Sequence, residues 1–247
     1  MAQKILTYNN AEFNLSYTIN NAQAGKKPLV ILHGWGASKH LMQQAFKGTF
    51  KDFTHYYIDL PGFGNSKTPP FALKTYDYAE ILRLMLESLH LDSTKISIIG
   101  HSFGGKVATL LNPKILILLS SAGIPTQKSF KVRAKIAFTK LLNQIAPPLS
   151  KNLKNLLRSK DVQNMDETMY QTFKNVVDED FSNIFKNFQN PCFIFWGRED
   201  LATPLSSGER IHALILDSKF FPLDGDHFFF LKQAKEIEKI YQKYQGK

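Results

Sequence analysis

The chain has 247 residues, 43% of them hydrophobic and 21% charged. That composition excludes wholesale disorder and fits one large globular domain or two small ones. Basic residues outnumber acidic ones 31 to 21, for a formal charge of +10, a balance often associated with nucleic-acid or membrane affinity. The excess is local. Nine basic side chains, from Lys128 to Lys160, fall within residues 125–160 with no acidic one among them, and the rest of the chain is nearly neutral. Cys192 is the one cysteine, so no intramolecular disulfide can form. Residues 1–10 lack the apolar core of a signal peptide, and no run approaches the ~18 apolar residues of a membrane span. A cytoplasmic protein with no membrane span is expected.

In chain order, residues 5–8 and 12–18 alternate weakly and are joined by Asn9-Asn10, which predicts an edge hairpin. Short apolar runs at 28–32, 55–60, 95–99, 114–119, 192–196 and 219–223 are each followed by Gly, Pro, Ser or Asp. They read as strands of a parallel sheet, buried on both faces. Between them, residues 75–89 repeat apolar side chains at helical spacing, with Thr75 as the expected N-cap. Further helices are expected at 103–111, 206–215 and 232–244. Strands alternating with helices predict an α/β fold. The alternation breaks at 125–187, where Phe130 to Ile145 and Leu149 to Leu157 form helical stripes separated by Pro147-Pro148. The expected division is a core of 1–124 and 188–247 with a helical cap, or lid, of 125–187.

The strongest chemical signal is Gly100-His101-Ser102-Phe103-Gly104, directly after one predicted strand and before a helix. A G-x-S-x-G turn in that setting places a serine at a sharp apex with its hydroxyl exposed, beside the free amides of a helix N-terminus. Serine is a weak nucleophile and needs a base, itself oriented by an acid. His227 follows the last predicted strand and Asp200 the one before it, both at strand C-terminal ends where open α/β sheets bind ligands. Glu199, Asp224 and Asp226 compete with Asp200 as the orienting acid, and Asp200 could instead cap a helix. His33-Gly34-Trp35-Gly36 follows the 28–32 strand and can offer the Trp35 amide, with that of Phe103, as oxyanion donors. His101, a neighbour of Ser102 on a strand end, points the other way and is read as structural. There is no C-x-x-C, no H-E-x-x-H and no phosphate-binding glycine loop. No metal and no cofactor are expected.

Taken together these residues resemble the α/β-hydrolase family. His33 to Ser38 is similar to its oxyanion loop and Gly100 to Gly104 to its nucleophile elbow. Asp59-Leu60-Pro61-Gly62-Phe63-Gly64-Asn65-Ser66 is similar to its D-x-x-G-x-G-x-S turn. Trp196-Gly197-Arg198-Glu199-Asp200-Leu201-Ala202-Thr203-Pro204 is similar to its acid loop, and Gly225-Asp226-His227 to its histidine turn. The resemblance implies an eight-stranded, mostly parallel sheet flanked by helices, with a helical lid inserted after strand six. It also implies a serine hydrolase of carboxylic or thioesters, with Ser102, Asp200 and His227 catalytic, Trp35 and Phe103 forming the oxyanion hole, and Trp35, Phe103 and Phe228 lining the substrate pocket. Meta-cleavage C–C hydrolases of the fold usually carry Met after the serine and Trp after the histidine, where this chain has Phe103 and Phe228. C–C hydrolysis of a dienoate is the alternative, and a binding module without catalysis the second. Pimeloyl-carrier-protein methyl ester esterases share the His-Gly-Trp-Gly loop and a basic lid. The basic stretch therefore reads either as solvated helix faces or as a docking surface for an acidic carrier protein. The expected partner is a small-molecule ester, not nucleic acid.

Overall fold

The computed structural model describes residues 2–125 and 166–245. The helical stripes at 130–145 and 149–157, and the basic side chains from Lys128 to Lys160, lie outside the described residues. Eight strands form one sheet in the order β1-β2-β4-β3-β5-β6-β7-β8. They are β1 (Ala2–Tyr8), β2 (Ala11–Asn20), β3 (Lys27–Leu32), β4 (Phe53–Ile58), β5 (Ser97–His101), β6 (Ile115–Leu119), β7 (Cys192–Gly197) and β8 (Ser218–Leu223). β1 pairs with β2, and β2 with β4, in antiparallel fashion; every other pairing is parallel. The expected N-terminal hairpin is present. Its two-residue turn requires positive φ at both centres, and Asn9 and Asn10 adopt 49° and 60°.

Helices cover both faces. On one side lie α1 (Lys39–Phe46) and the C-terminal α7 (Phe230–Gln245), packed through Met42, Phe46, Phe230 and Ile237 onto Leu29, Ile31, Ile99, Ile117 and Phe195. On the other lie α2 (Thr75–Ser88), α3 (Phe103–Leu110) and α6 (Leu205–Leu214). They meet the alternate residues Val30, Leu32, Ile98, Leu118, Ile194 and Trp196, as the two-residue period of a strand demands. Two further helices, α4 (Glu167–Val176) and α5 (Ser182–Lys186), stand between β6 and β7 and pack on this second core through Met169, Val176 and Phe185. Among the described residues no helix is long and apolar enough to cross a membrane.

Several boundaries differ from the sequence reading. Helix α1 was not expected, because eight residues give barely two turns of periodicity. The N-cap of α2 is Lys74, not Thr75. The Asp77 carboxylate takes the Lys74 amide at 2.6 Å, while the buried Thr75 hydroxyl donates to Glu179. The strand expected at 95–99 starts later, since residues Ser93–Lys95 form a short 3-10 turn capped by Asp92. The strand expected at 55–60 ends at Ile58, because Asp59 turns into a buried polar hub.

That hub joins four segments. Lys39 and Asp59 side chains are both 0% exposed and ion-paired. Lys39 Nζ also donates to Ser16 Oγ at 2.9 Å. The Asp59 carboxylate accepts the Lys39 amide at 2.7 Å and the Asn65 amide at 2.9 Å. Ser66 Oγ donates to the Asp59 carbonyl at 2.7 Å and accepts from the Ser16 amide. The carboxylate thus serves as N-terminal anchor of α1 and as template for the Gly62–Gly64 turn. Removing one partner of a buried pair strands the other charge in a medium that cannot solvate it, at about 3–5 kcal/mol. Lys39→Met is predicted to lower unfolding free energy by that amount in a denaturant titration; a loss under about 1 kcal/mol would contradict this account.

Candidate active site

β5 ends at His101 and α3 begins at Phe103, so Ser102 alone makes the turn. It does so at φ 50°, ψ −116°, a conformation that costs a residue with a Cβ about 1–3 kcal/mol. Backbone bonds hold it there: its amide donates to the Leu119 carbonyl at 3.0 Å, and its carbonyl accepts from Gly105 and Ala122 at 3.0 Å each. The flanking glycines make room. A Cβ on Gly100 would fall 2.5 Å from the Gly104 carbonyl oxygen, and one on Gly104 would fall 2.5 Å from that of His33. Phe103 opens the helix, where the first amides have no intrahelical acceptor.

Asp200 lies in the loop after β7 and His227 in the turn after β8. His227 Nδ1 donates to Asp200 Oδ2 at 2.8 Å. In a neutral ring this leaves the Nε2 lone pair to accept a proton. The carboxylate is fully engaged: Oδ1 accepts the Ala202 and Thr203 amides at 2.8 and 2.9 Å, and Oδ2 accepts the Thr203 hydroxyl at 2.8 Å. Burial alone would push the Asp200 carboxyl up. The hydrogen bonds from His227 and Thr203 outweigh it and hold the pKa down at about 2, so this group stays an anion through the working pH range. The competing acids go elsewhere. Glu199 is exposed, Asp224 pairs with Arg198 at 3.3 Å, and Asp226 accepts the Phe228 amide and shapes the turn. Asp200 does not cap the next helix, whose N-cap is Pro204.

Two residues here were not assigned a site role from the sequence. Thr203 Oγ1 sits within reach of both Asp200 and His227 Nδ1, at 2.8 and 3.3 Å; its signal was the D-x-x-T spacing, in which a carboxylate caps the amide three residues on. The second is His101, which is in contact with His227. The rings are 4.6 Å apart, and His101 Nε2 donates to the His227 carbonyl at 3.0 Å. His33 plays a matching part in the loop after β3. Its Nε2 accepts the Leu60 amide at 3.0 Å while Nδ1 faces the Gly34 carbonyl at 2.8 Å. The Gly34 backbone passes so close to the elbow that a Cβ there would lie 3.0 Å from that of Ser102.

Ser102 opens into a cavity of about 830 Å³ whose walls include Trp35, Phe103, Phe173, Val176, Ile124 and Thr203. The Trp35 ring packs against Phe103 and Phe173 at 5.5 and 5.3 Å. Phe228, expected in the pocket, is not part of this wall. It is 42% exposed and lies beside the His227 and His101 rings, at 5.4 Å from each, because the Asp226 turn directs it outward from the histidine.

A model of the α/β-hydrolase fold family matches residues 27–114. A thermophilic esterase from Thermogutta terrifontis superposes with a TM-score of 0.72 over 99% of this chain and 98% of that one, at 16% identity. The chain has the α/β-hydrolase fold. Among curated relatives, the uncharacterized hydrolase YugF of Bacillus subtilis is 24% identical over 81% of this chain and 82% of its own length. The pimeloyl-[acyl-carrier protein] methyl ester esterase of Pseudoalteromonas atlantica is 34% identical over 42% of each chain, so the match spans less than half of that relative.

The two buried histidines give this protein a pH signature. Burial lowers His33 to about 4 and His101 to about 3, against about 6.5 in the unfolded chain. Between these limits the unfolded state binds the protons and the folded state does not, so stability rises with pH and falls on acidification. The melting temperature is predicted to drop as pH goes from about 6.5 to 4, each histidine contributing up to about 1.4 kcal/mol per pH unit. A flat melting temperature across that window would contradict the buried, neutral assignment.

Proposed function

We propose that this α/β-hydrolase cleaves carboxylic esters, or thioesters, through an acyl-enzyme on Ser102. What supports the reading is the strained Ser102 turn opening into an aromatic-walled cavity that Thr203 also lines, Thr203 being bonded to the same buried Asp200 carboxylate that holds His227. His227 Nε2 takes the Ser102 proton as Oγ attacks the ester carbonyl. The tetrahedral oxyanion is held by the Trp35 and Phe103 amides; one such donor is commonly worth ~10²–10³ in rate. The imidazolium returns its proton to the departing alcohol, and the acyl group remains on Ser102. Water, deprotonated by His227, then attacks the acyl-enzyme, and the acid leaves with Oγ reprotonated. Asp200 keeps Nδ1 protonated and the ring oriented, and it stabilises the imidazolium formed in each half.

Residues 125–187 serve in this reading as a cap over the cavity. Its described part supports this, since Phe173, Val176 and Val177 line the cavity wall. A single cysteine, buried in β7, fits a reducing cytoplasmic setting. The local likeness to a carrier-protein methyl ester esterase, together with the basic stretch, extends the proposal to esters presented on an acidic carrier protein. In that case the rate on the carrier-bound ester falls with added salt, and a salt-insensitive rate removes the carrier from the proposal.

The reading predicts turnover of p-nitrophenyl acetate or butyrate. Ser102→Ala is expected to reduce kcat by at least about 10³-fold, and Asp200→Asn by about 10³–10⁴-fold through the wrong imidazole tautomer. Full activity in Ser102→Ala would refute it. A 2-hydroxy-6-oxo-dienoate hydrolysed faster than any ester would move the assignment to C–C cleavage.

A further inference from the structure

Helix α3 carries one lysine on its buried face. Lys106 lies four residues past Ser102, about 6 Å further along the helix axis on the same side, and both residues line the cavity. Its side chain is 2% exposed. The ammonium donates to Glu179 at 2.6 Å and to the Val176 carbonyl at 2.7 Å, with the Phe181 ring centre 4.6 Å away. Glu179, 24% exposed, lines the same cavity as Lys106 and Asp178. Its Oε2 accepts from both Lys106 and Thr75.

We propose that this wall is a polar subsite that takes a hydroxyl group carried by the ester, the hydroxyl donating to the Glu179 carboxylate. The inference rests on the Ser102 ester-hydrolase reading and names its substrate class. A cavity built only for alkyl chains has no use for a half-buried carboxylate, because an alkyl group arriving there strips its water and returns no hydrogen bond. A hydroxyl replaces that water. A carboxylate on the substrate is disfavoured, since it meets Asp178 and Glu179 while the one ammonium among the described wall residues already has two partners. The Lys106–Glu179 pair ties the acceptor, in the segment between α4 and α5, to α3, the helix that begins directly after Ser102.

The test is a matched panel on the wild-type protein. p-Nitrophenyl esters of alkanoic, ω-hydroxyalkanoic and α,ω-dicarboxylic acids of about four to eight carbons place the group on the acyl side. Butyrates of hexanol and 1,6-hexanediol place it on the alcohol side. The expected result is an optimum length on one of the two sides at which the hydroxyl ester exceeds its alkyl counterpart about tenfold in kcat/KM, with the dicarboxylate monoester below both. Glu179→Gln, and Lys106→Met/Glu179→Gln in case the single change strands the buried ammonium, should cut the hydroxyl-to-alkyl ratio to about two or less within the same variant. A ratio near one in the wild type on both sides, or a ratio unchanged in the double variant, overturns the subsite while Ser102-dependent ester hydrolysis stands. A preferred dicarboxylate monoester overturns it as well. Absence of Ser102-dependent turnover on every ester removes the parent reading instead.

Discussion

One peptide turn governs the site. Ser102 is held at positive φ between a strand and a helix that both belong to the core, and the strain is sustained only because its surroundings leave no alternative. Its amide and carbonyl are tied to Leu119, Gly105 and Ala122, and Gly100 and Gly104 allow β3, β5 and α3 to approach more closely than a Cβ would permit. The sheet order adds the rest. The chain lays down β3, then places β4 on one side and β5 on the other, so the strand ends diverge at that point and leave a crevice at their C-terminal edge. The His33–Gly36 loop follows β3 and the Ser102 turn follows β5. Loops after β7 and β8 bring Asp200 and His227 to the same edge.

Around this turn the neutral and charged polar groups divide the work. His33 and His101 remain uncharged and act as braces: one binds the loop after β3 to the chain leaving β4, the other binds the end of β5 to the carbonyl of His227. The buried ionised groups named here are each closed into a pair or a cage. Asp59 is matched by Lys39 and Asp200 by His227 with three loop donors. Lys106 is matched by Glu179. Removing one partner of such a pair leaves a buried charge unpaired, at about 3–5 kcal/mol, so these loops are fixed to the sheet rather than left to sample.

Much of this was legible in the sequence because it rests on short-range rules. Glycine spacing marked the elbow, buried apolar runs marked the parallel strands, and Asn9-Asn10 marked a hairpin turn that needs two positive φ angles. Asp200 and His227 were legible from their place after strands and from the family resemblance. What escaped depends on contacts distant in sequence. No local pattern shows that Lys39 reaches Asp59 and Ser16, that Thr75 spends its hydroxyl on Glu179 instead of capping α2, or that Lys106 meets residues 70 and more positions away. Phe228 was misplaced for a related reason: the residue after a catalytic-looking histidine can face either way, and the Asp226 turn decides which.

The central claim is that the Ser102 hydroxyl is a nucleophile activated by this frame. It is tested most directly by treating the protein with a fluorophosphonate probe and locating the adduct by peptide mass spectrometry. The account predicts stoichiometric labelling confined to Ser102, slowed strongly in His227→Ala. An unlabelled protein, or a label distributed over other serines while Ser102 remains unmodified, would contradict it.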